Sequence, residues 1–395
     1  MERMRKLQEV ILKAMAGKLS WTAAAEIIGV TDRTMRRWRE RWQKHGYSGL
    51  WDYRKRRPSP KRVPVDKLQE VLQLYREKYF DFNVQHFHEK LREAHGIEFS
   101  YTWVKTALQE AGLVKKRKKP GSHRKRRPRR PLPGMMLHID GSKHRWFGDE
   151  RQYELIAVLD DATSEIYYAQ LVEAESTRSV MAALREVIET RGVFCSLYSD
   201  RAGHFFLTPK RGEPADMSRP TQVGRALQEL GVKMIAAYSP QARGRMERNY
   251  RTWQGRLPQE LRLRGITDVK QANEFLRTQY IAEFNSRFTE PAAQKGTAFV
   301  RLHRRDLDWI FSVQQERTVN RDNTILFGCR VLQLEQTKWR DTLARQTVII
   351  HEHLDGRISV RYGPHVIAEF AGDGVPLPSP RRKHSAKLPP GSQAA

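Results

Sequence analysis

Apolar residues recur at helical spacing over 7–15 (LQEVILKAM), over 21–28, and over 32–44, where Met35, Trp38 and Trp42 share one stripe. Ser20 is placed to cap the second of these helices, and Gly29-Val30-Thr31 forms a short turn ending in a capping residue. The pattern repeats over 65–79, 84–94 and 100–110, with a turn at His95-Gly96-Ile97 and a stop at Gly112. From 135 the period changes. Strands are predicted at 135–139, 152–159, 165–171, 193–198 and 232–237, with helices at 177–190, at 221–230 and from about 243. A closing helix pair follows over 269–284. Short strands at 324–327, 331–334, 347–353, 358–360 and 366–370 end the pattern, punctuated by Gly328, Asp355-Gly356 and Gly363-Pro364.

The reading is a multidomain chain with four ordered parts. Helix, tight turn and basic helix make a helix-turn-helix module over 1–53, and a second, less basic one over 62–114. The β-β-β-α-β-α-β-α order over 135–300 matches an α/β RNase H-like core, a mixed sheet flanked by helices. The strands within 318–372 fit a small all-β SH3-like barrel. Residues 115–134 read as a basic linker and 373–395 as a disordered tail.

Charge sharpens this picture. The 395 residues carry 72 Lys and Arg against 45 Asp and Glu, a net +27. Segments 54–62, 115–130 and 375–395 hold 21 of those excess charges and no acid. Such an excess points to a polyanionic partner, nucleic acid before an anionic membrane surface. The linkers are either solvated spacers or spacers that also track a phosphate backbone. No run approaches the roughly 18 apolar residues of a membrane span, and MERMRK at 1–6 lacks the apolar core of a signal peptide. Cys195 and Cys329 belong to no CxxC pair, so a zinc ribbon or disulfide scaffold is not expected. A cytoplasmic, nucleoid-associated setting fits.

Candidate DNA contacts are Arg33, Arg36, Arg37, Arg39 and Arg41 on the third helix and Lys105 in the second module. In the linker they are Lys115, Lys116, Arg117, Lys118, Lys119, Arg124, Lys125, Arg126 and Arg127. Arginine is the best donor to guanine edges and phosphates. Trp103 is either a DNA contact or core, and Lys338, Trp339, Arg340 and Arg345 suggest a phosphate-binding loop.

Three carboxylates stand out in the central region. Asp140 follows the first strand, and Asp200 follows the fourth, which would lie beside the first. Glu247 sits on the helix that follows. Their spacings are 60 and 47 residues. Each alone is compatible with a turn or a solvated helix face. As an ordered set they suit two hard cations about 3.5–4 Å apart, the arrangement for phosphodiester transfer. Asp160, Asp161 and Glu173 compete, although the first two fit a hairpin turn better. Arg243, Arg245, Arg248 and Arg251 surround Glu247 as candidate phosphate contacts, with Tyr250 and Gln254 on the glutamate's face. His138 reads as a satisfied sheet histidine or as a group orienting a ligand.

LHIDGSKHRWF at 137–147, YSDRAGHF at 198–205 and AYSPQARGRMERNYRTWQGRLPQEL at 237–261 resemble the three signature blocks of DDE transposases and retroviral-type integrases. With PTQVGRALQELGV at 220–232, the chain looks closest to ISNCY-like insertion-sequence transposases. The resemblance covers about 20–370. It implies catalytic and metal-binding roles for Asp140, Asp200 and Glu247, two Mg²⁺ or Mn²⁺ ions per site, and metal-dependent DNA cleavage and strand transfer. The helix-turn-helix modules would read terminal inverted repeats, and joining two ends requires at least a dimer on double-stranded DNA. Two departures stand out. Arg201-Ala202-Gly203 replaces the Asn-Gly of many relatives, with Arg201 available to a phosphate. Segment 205–220 is long, as a DNA-contacting loop or a plain insertion. The alternatives are a non-catalytic DNA-binding regulator derived from a transposase, and a structure-specific nuclease. The intact carboxylate set argues against the first, and the two sequence-reading modules argue against the second.

Overall fold

The computed structural model describes residues 2–51, 63–116, 127–207, 216, 218–238, 244–302, 306–336 and 340–378. The chain forms two compact units, residues 1–74 and 75–395. Among the described residues no helix is long and apolar enough to cross a membrane.

In the first unit, α1 (Glu2–Met15), α2 (Trp21–Ile28) and α3 (Asp32–His45) close on Leu7, Val10, Ile11, Ala24, Ala25, Met35 and Leu50. Ser20 Oγ caps α2 through the Ala23 amide, and Gly29 ends it at φ 74°, a left-handed position where a Cβ would be strained. Thr31 caps α3. Met35 is fully buried, while Trp38 and Trp42 pack along the edge of the core. Helix α4 (Val65–Glu77) runs across the boundary between the units.

The second unit continues with α5 (Val84–His95) and α6 (Tyr101–Glu110), capped by Asn83 and Ser100. The central sheet has the order β3-β2-β1-β4-β5, with β1 Leu137–His144, β2 Tyr153–Asp160, β3 Ile166–Val172, β4 Ser196–Ser199 and β5 Lys233–Ala236. The β1–β2 and β2–β3 pairs are antiparallel, and β1–β4 and β4–β5 are parallel. This is the mixed sheet predicted for the core. One face packs α7 (Thr177–Arg191) and α8 (Gln222–Glu229) over Leu137, Ile139, Ile156 and Leu197. The other packs α9 (Gly244–Gln254), α10 (Leu257–Leu263), α11 (Val269–Phe275) and α12 (Ile281–Phe288) over Leu155, Ala157 and Leu159.

The predicted helix pair over 269–284 is a nearly continuous run, with a π-helical segment at Leu276–Tyr280 between α11 and α12. It seals the β3 edge with two carboxamides. Asn273 pairs with the Leu171 amide and carbonyl at 2.7 and 2.9 Å, and Asn285 pairs with those of Ile166 at 2.9 Å each. Each asparagine stands in for a neighbouring strand's peptide, which removes an open edge.

Strand β1 runs to His144, past its predicted end. The antiparallel ladder with β2 continues through Asp140↔Ala157 to His144↔Tyr153, so Asp140 lies inside the strand. The C-terminal region follows α13 (Leu307–Ile310). Among its described residues it holds six strands, one more than the pattern predicts: β6 (Val313–Thr318), β7 (Thr324–Phe327), β8 (Arg330–Gln333), β9 (Thr347–Glu352), β10 (Ile358–Tyr362) and β11 (His365–Phe370). The order β11-β10-β9-β6 makes one antiparallel sheet and β7-β8 a hairpin, around one core that includes Ile325, Leu332, Ile350 and Val360. The extra strand, VQQERT, is a half-exposed edge without apolar alternation, which is why periodicity misses it.

Candidate active site

The parallel pairing of β1 with β4 aligns Leu137 with Leu197 and His138 with Tyr198, an offset of 60 residues. That is the spacing between Asp140 and Asp200, so continuing the register puts the two residues level on neighbouring chains, whose strand backbones lie roughly 4.8 Å apart. Asp140 is nearly buried at 9% exposure, and its Oδ1 accepts from the Gly141 amide at 3.1 Å. Asp200 Oδ1 accepts from the Ala202 amide at 3.0 Å, which folds the departing chain back on the carboxylate.

Helix α9 lies against this end of β1. The Tyr250 hydroxyl donates to the Asp140 carbonyl and, at 3.2 Å, to that of Leu155. Gln254 Nε2 donates to Ser142 Oγ at 3.1 Å. Glu247 sits one helical turn before Tyr250 and is exposed. The structure therefore brings Asp140 and Asp200 level and sets Glu247 on the helix anchored to the same strand. Among the described residues no group of three or more His, Cys, Asp or Glu is close enough to hold a metal ion.

The opposite side of β1 is crowded at Gly141. A Cβ there would meet Glu175 Oε2 at 2.7 Å and Glu154 Oε1 at 3.0 Å, so a larger residue would displace these two glutamate side chains. Glu175 reaches His204 at 3.1 Å, in the chain leaving Asp200.

His138 is satisfied: its Nε2 lies 2.7 Å from Asp161 Oδ1. Asp160 ends β2 and accepts from the Gly134 and Ala162 amides at 2.8 Å and the Thr163 amide at 3.0 Å. Burial raises its pKa, and these amides offset that only in part. Asp161 behaves oppositely. Burial disfavours its charge, yet hydrogen bonds from His138, the Arg130 amide and Arg245 hold its pKa well below the usual carboxylate range.

Among the described residues, candidate DNA contacts fall into three groups. Arg33, Arg36, Arg37, Arg39, Arg41, Lys105, Lys115, Lys116, Arg248 and Arg251 are exposed, with Arg39 over the Trp21 ring at 4.9 Å. Arg201 is half-buried and lies over the Tyr238 ring at 5.2 Å. Arg127 and Arg245 both pair with Asp161, a role not foreseen from the sequence. Arg117, Lys118, Lys119, Arg124, Lys125, Arg126 and Arg243 lie outside the described residues, as do Lys338, Trp339 and most of 205–220. Arg340 donates to the Tyr362 hydroxyl at 2.9 Å. Trp103 is half-buried, its ring 4.4 Å from that of Phe99.

A second charged cluster was also not foreseen. Glu260 on α10 faces His86 at 2.7 Å and Lys90 at 2.6 Å, both on α5, and pairs with Arg264. Glu89 holds Arg256 through two bonds of 2.6 and 2.9 Å and Arg287 at 2.8 Å. Apart from the i,i+4 pair with Arg264, no spacing rule signals these partners, because they lie 167 to 198 residues apart.

A family of homeodomain-like domains matches residues 34–108, and a helix-turn-helix domain family matches residues 8–59. The "Putative transposase y4bF" of Sinorhizobium fredii is 31% identical over 367 residues, covering 90% of this chain and 78% of the relative. The "Transposase for insertion sequence IS1202" of Streptococcus pneumoniae is 26% identical over 318 residues, covering 71% of this chain and 67% of its own. Among solved structures, the HTLV-2 integrase catalytic core domain in complex with magnesium aligns at 15% identity and a TM-score of 0.27, over 36% of this chain and 82% of that one. A simian T-cell lymphotropic virus intasome chain aligns at 14% identity and a TM-score of 0.30, over 52% and 66%. The chain belongs to the family of these transposases. Its N-terminal region carries helix-turn-helix domains, and its central region a mixed sheet flanked by helices.

Proposed function

We propose that the chain binds the terminal inverted repeats of its own element and cuts and rejoins DNA there, with Asp140, Asp200 and Glu247 as the catalytic set. The observation that carries this reading is the 60-residue offset of the β1–β4 ladder, which sets Asp140 level with Asp200 in a member of the transposase family. The donor set suits hard divalent ions: three carboxylates and no sulfur or imidazole. Asp140, Asp200 and Glu247 would hold Mg²⁺ or Mn²⁺. Two such ions would stabilise charge on the phosphate, the attacking oxygen and the leaving 3′ oxygen.

The chain's own part is positioning. Tyr250 fixes the Asp140 carbonyl from α9, so the strand and the helix bearing Glu247 keep a constant offset. Exposed Arg248 and Arg251 face a scissile strand as charge-assisted donors to phosphate oxygens, and Arg201, steadied on Tyr238, serves the chain beside Asp200. No covalent enzyme nucleophile is needed, because phosphoryl transfer of this kind is positioning plus charge stabilisation.

Within this reading, 1–53 and 62–114 are DNA readers and 115–134 a phosphate-tracking tether. Residues 135–300 are the catalytic core, 318–372 an SH3-like barrel touching DNA or a neighbouring subunit, and 373–395 a tail. The working form is at least a dimer on DNA, in the cytoplasm at the nucleoid.

The test incubates the protein with DNA flanking its coding region and Mg²⁺, mapping cut 3′ ends and joined products. Specific nicks at the repeat ends support the reading. Tight binding without any cut favours a DNA-binding regulator.

A further inference from the structure

Asp161 sits at the turn after β2, fully buried, and three parts of the molecule meet on its carboxylate. His138 of β1 approaches Oδ1 at 2.7 Å. Arg127 Nη2, from the arginine-rich segment entering the core, reaches the same oxygen at 2.5 Å. Arg245 Nη1, from the first turn of α9, reaches it too. Oδ2 accepts from the Arg130 amide at 2.8 Å. The two arginines are also joined directly, since Arg245 Nη2 donates to the Arg127 carbonyl at 2.8 Å. Next to them Arg129 bonds Ser164 Oγ at 2.7 Å and Glu290 at 2.6 Å.

The local charge balance is uneven, with one buried carboxylate serving two guanidiniums. Arg127 keeps 46% of its side chain exposed, Arg245 only 13%. Arg245 lies two residues before Glu247, so whatever fixes its guanidinium fixes the turn that presents Glu247.

We propose that Asp161 is a positioning residue. It locks the first turn of α9, and with it Glu247, to the arginine-rich segment entering the core, and it withholds Arg127 and Arg245 from DNA phosphates. The role of Glu247 rests on the function proposed above, whereas the lock itself does not. An amide at this position cannot replace the carboxylate: it loses the charge, and with its oxygen toward the guanidiniums its NH2 meets the Arg130 amide donor to donor.

The experiment compares wild type, D161N and R245Q. The first readout is amide hydrogen exchange across 244–250, without DNA. The lock requires exchange there to rise about tenfold or more in both variants, with protection of α7 unchanged. The second readout is the salt dependence of binding to end DNA. Releasing two arginines in D161N steepens the slope of log affinity against log salt by about 1 to 2. R245Q leaves Arg127 held and the slope as in wild type. The third readout is cleavage, which falls at least about tenfold in both variants while binding persists.

Unchanged exchange over 244–250 in either variant overturns the lock, whatever the cleavage. An unchanged slope in D161N overturns the withholding of the two arginines. If D161N fails to fold, R245Q exchange alone decides the lock. If wild type cuts no end DNA, the catalytic reading fails, and the exchange data still decide the role of Asp161.

Discussion

On α3 of the first helical module, Arg33, Arg36, Arg37, Arg39 and Arg41 all face outward, and none makes an ion pair among the described residues. On α5 most of the charged side chains are committed to the rest of their own unit. Glu89 grips Arg256 and Arg287, Glu93 takes Arg287 at 2.9 Å, and His86 and Lys90 close on Glu260. Asp81 adds Arg262 at 2.7 Å, and Asn83 donates to the Gly255 carbonyl at 2.8 Å. Two regions built from similar capped helices thus treat charge differently. One leaves its cations exposed; the other neutralises most of its charge internally and anchors helices to the central domain. Net charge alone does not separate these uses. Burial and partners do.

The contrast breaks most visibly at Glu260. It is 3% exposed and anchors the cationic Lys90 and Arg264 as well as the His86 ring, so Glu260→Ala leaves these groups without their partner. The expected loss is about 3–5 kcal/mol of unfolding free energy in a denaturant titration. A loss below about 1 kcal/mol would show that the α5 contacts are surface-like.

Next comes a pH response from a buried group without a neutralising partner. His351 in β9 is 2% exposed and bonds Ser312 at 2.9 Å, while its Nε2 lacks a hydrogen-bond partner. Burial, then the nearby Arg361, pushes its pKa down to about 3. The unfolded chain binds a proton near pH 6.5 and the folded chain only near 3, so the contribution is intact above 6.5 and is lost as pH falls toward 3. Unfolding free energy should drop by about 1.4 kcal/mol per pH unit in that window from this residue. His351→Gln should flatten the slope, as followed by thermal melts between pH 7 and 5.

On the offering side, Arg36→Ala or Arg37→Ala should weaken end-DNA binding roughly tenfold each, with melting temperature unchanged. A melting change without an affinity change would reverse the assignment. The smallest effect is expected at Lys13–Glu9, an exposed pair at 2.7 Å on α1. Lys13→Ala should leave the melting temperature unmoved, because exposed pairs are solvated in both states.

The sequence makes some of this legible and hides the rest for physical reasons. Caps at Ser20, Thr31 and Ser100 are local, so helix starts follow from neighbouring residues. The β1–β4 adjacency is legible because the strand order and the 60-residue spacing point to it together. Strand β6 was not readable, because its polar edge residues bury nothing in alternation. Asp161 read as a turn residue, and Glu260 went unnoticed. What makes each matter is a set of partners brought in from elsewhere in the chain by the fold. Glu247 remains between these cases: it lies on the helix the pattern predicts, but its carboxylate is exposed and joins no three-ligand group among the described residues.

The most direct test of the catalytic reading measures binding and cleavage of the same end DNA, with Mg²⁺, by wild type and Asp200→Ala. The account predicts equal binding and a fall in cleavage of at least about 10³-fold, as expected when charge stabilisation at the transition state is removed. Equal cleavage by the two proteins would contradict it.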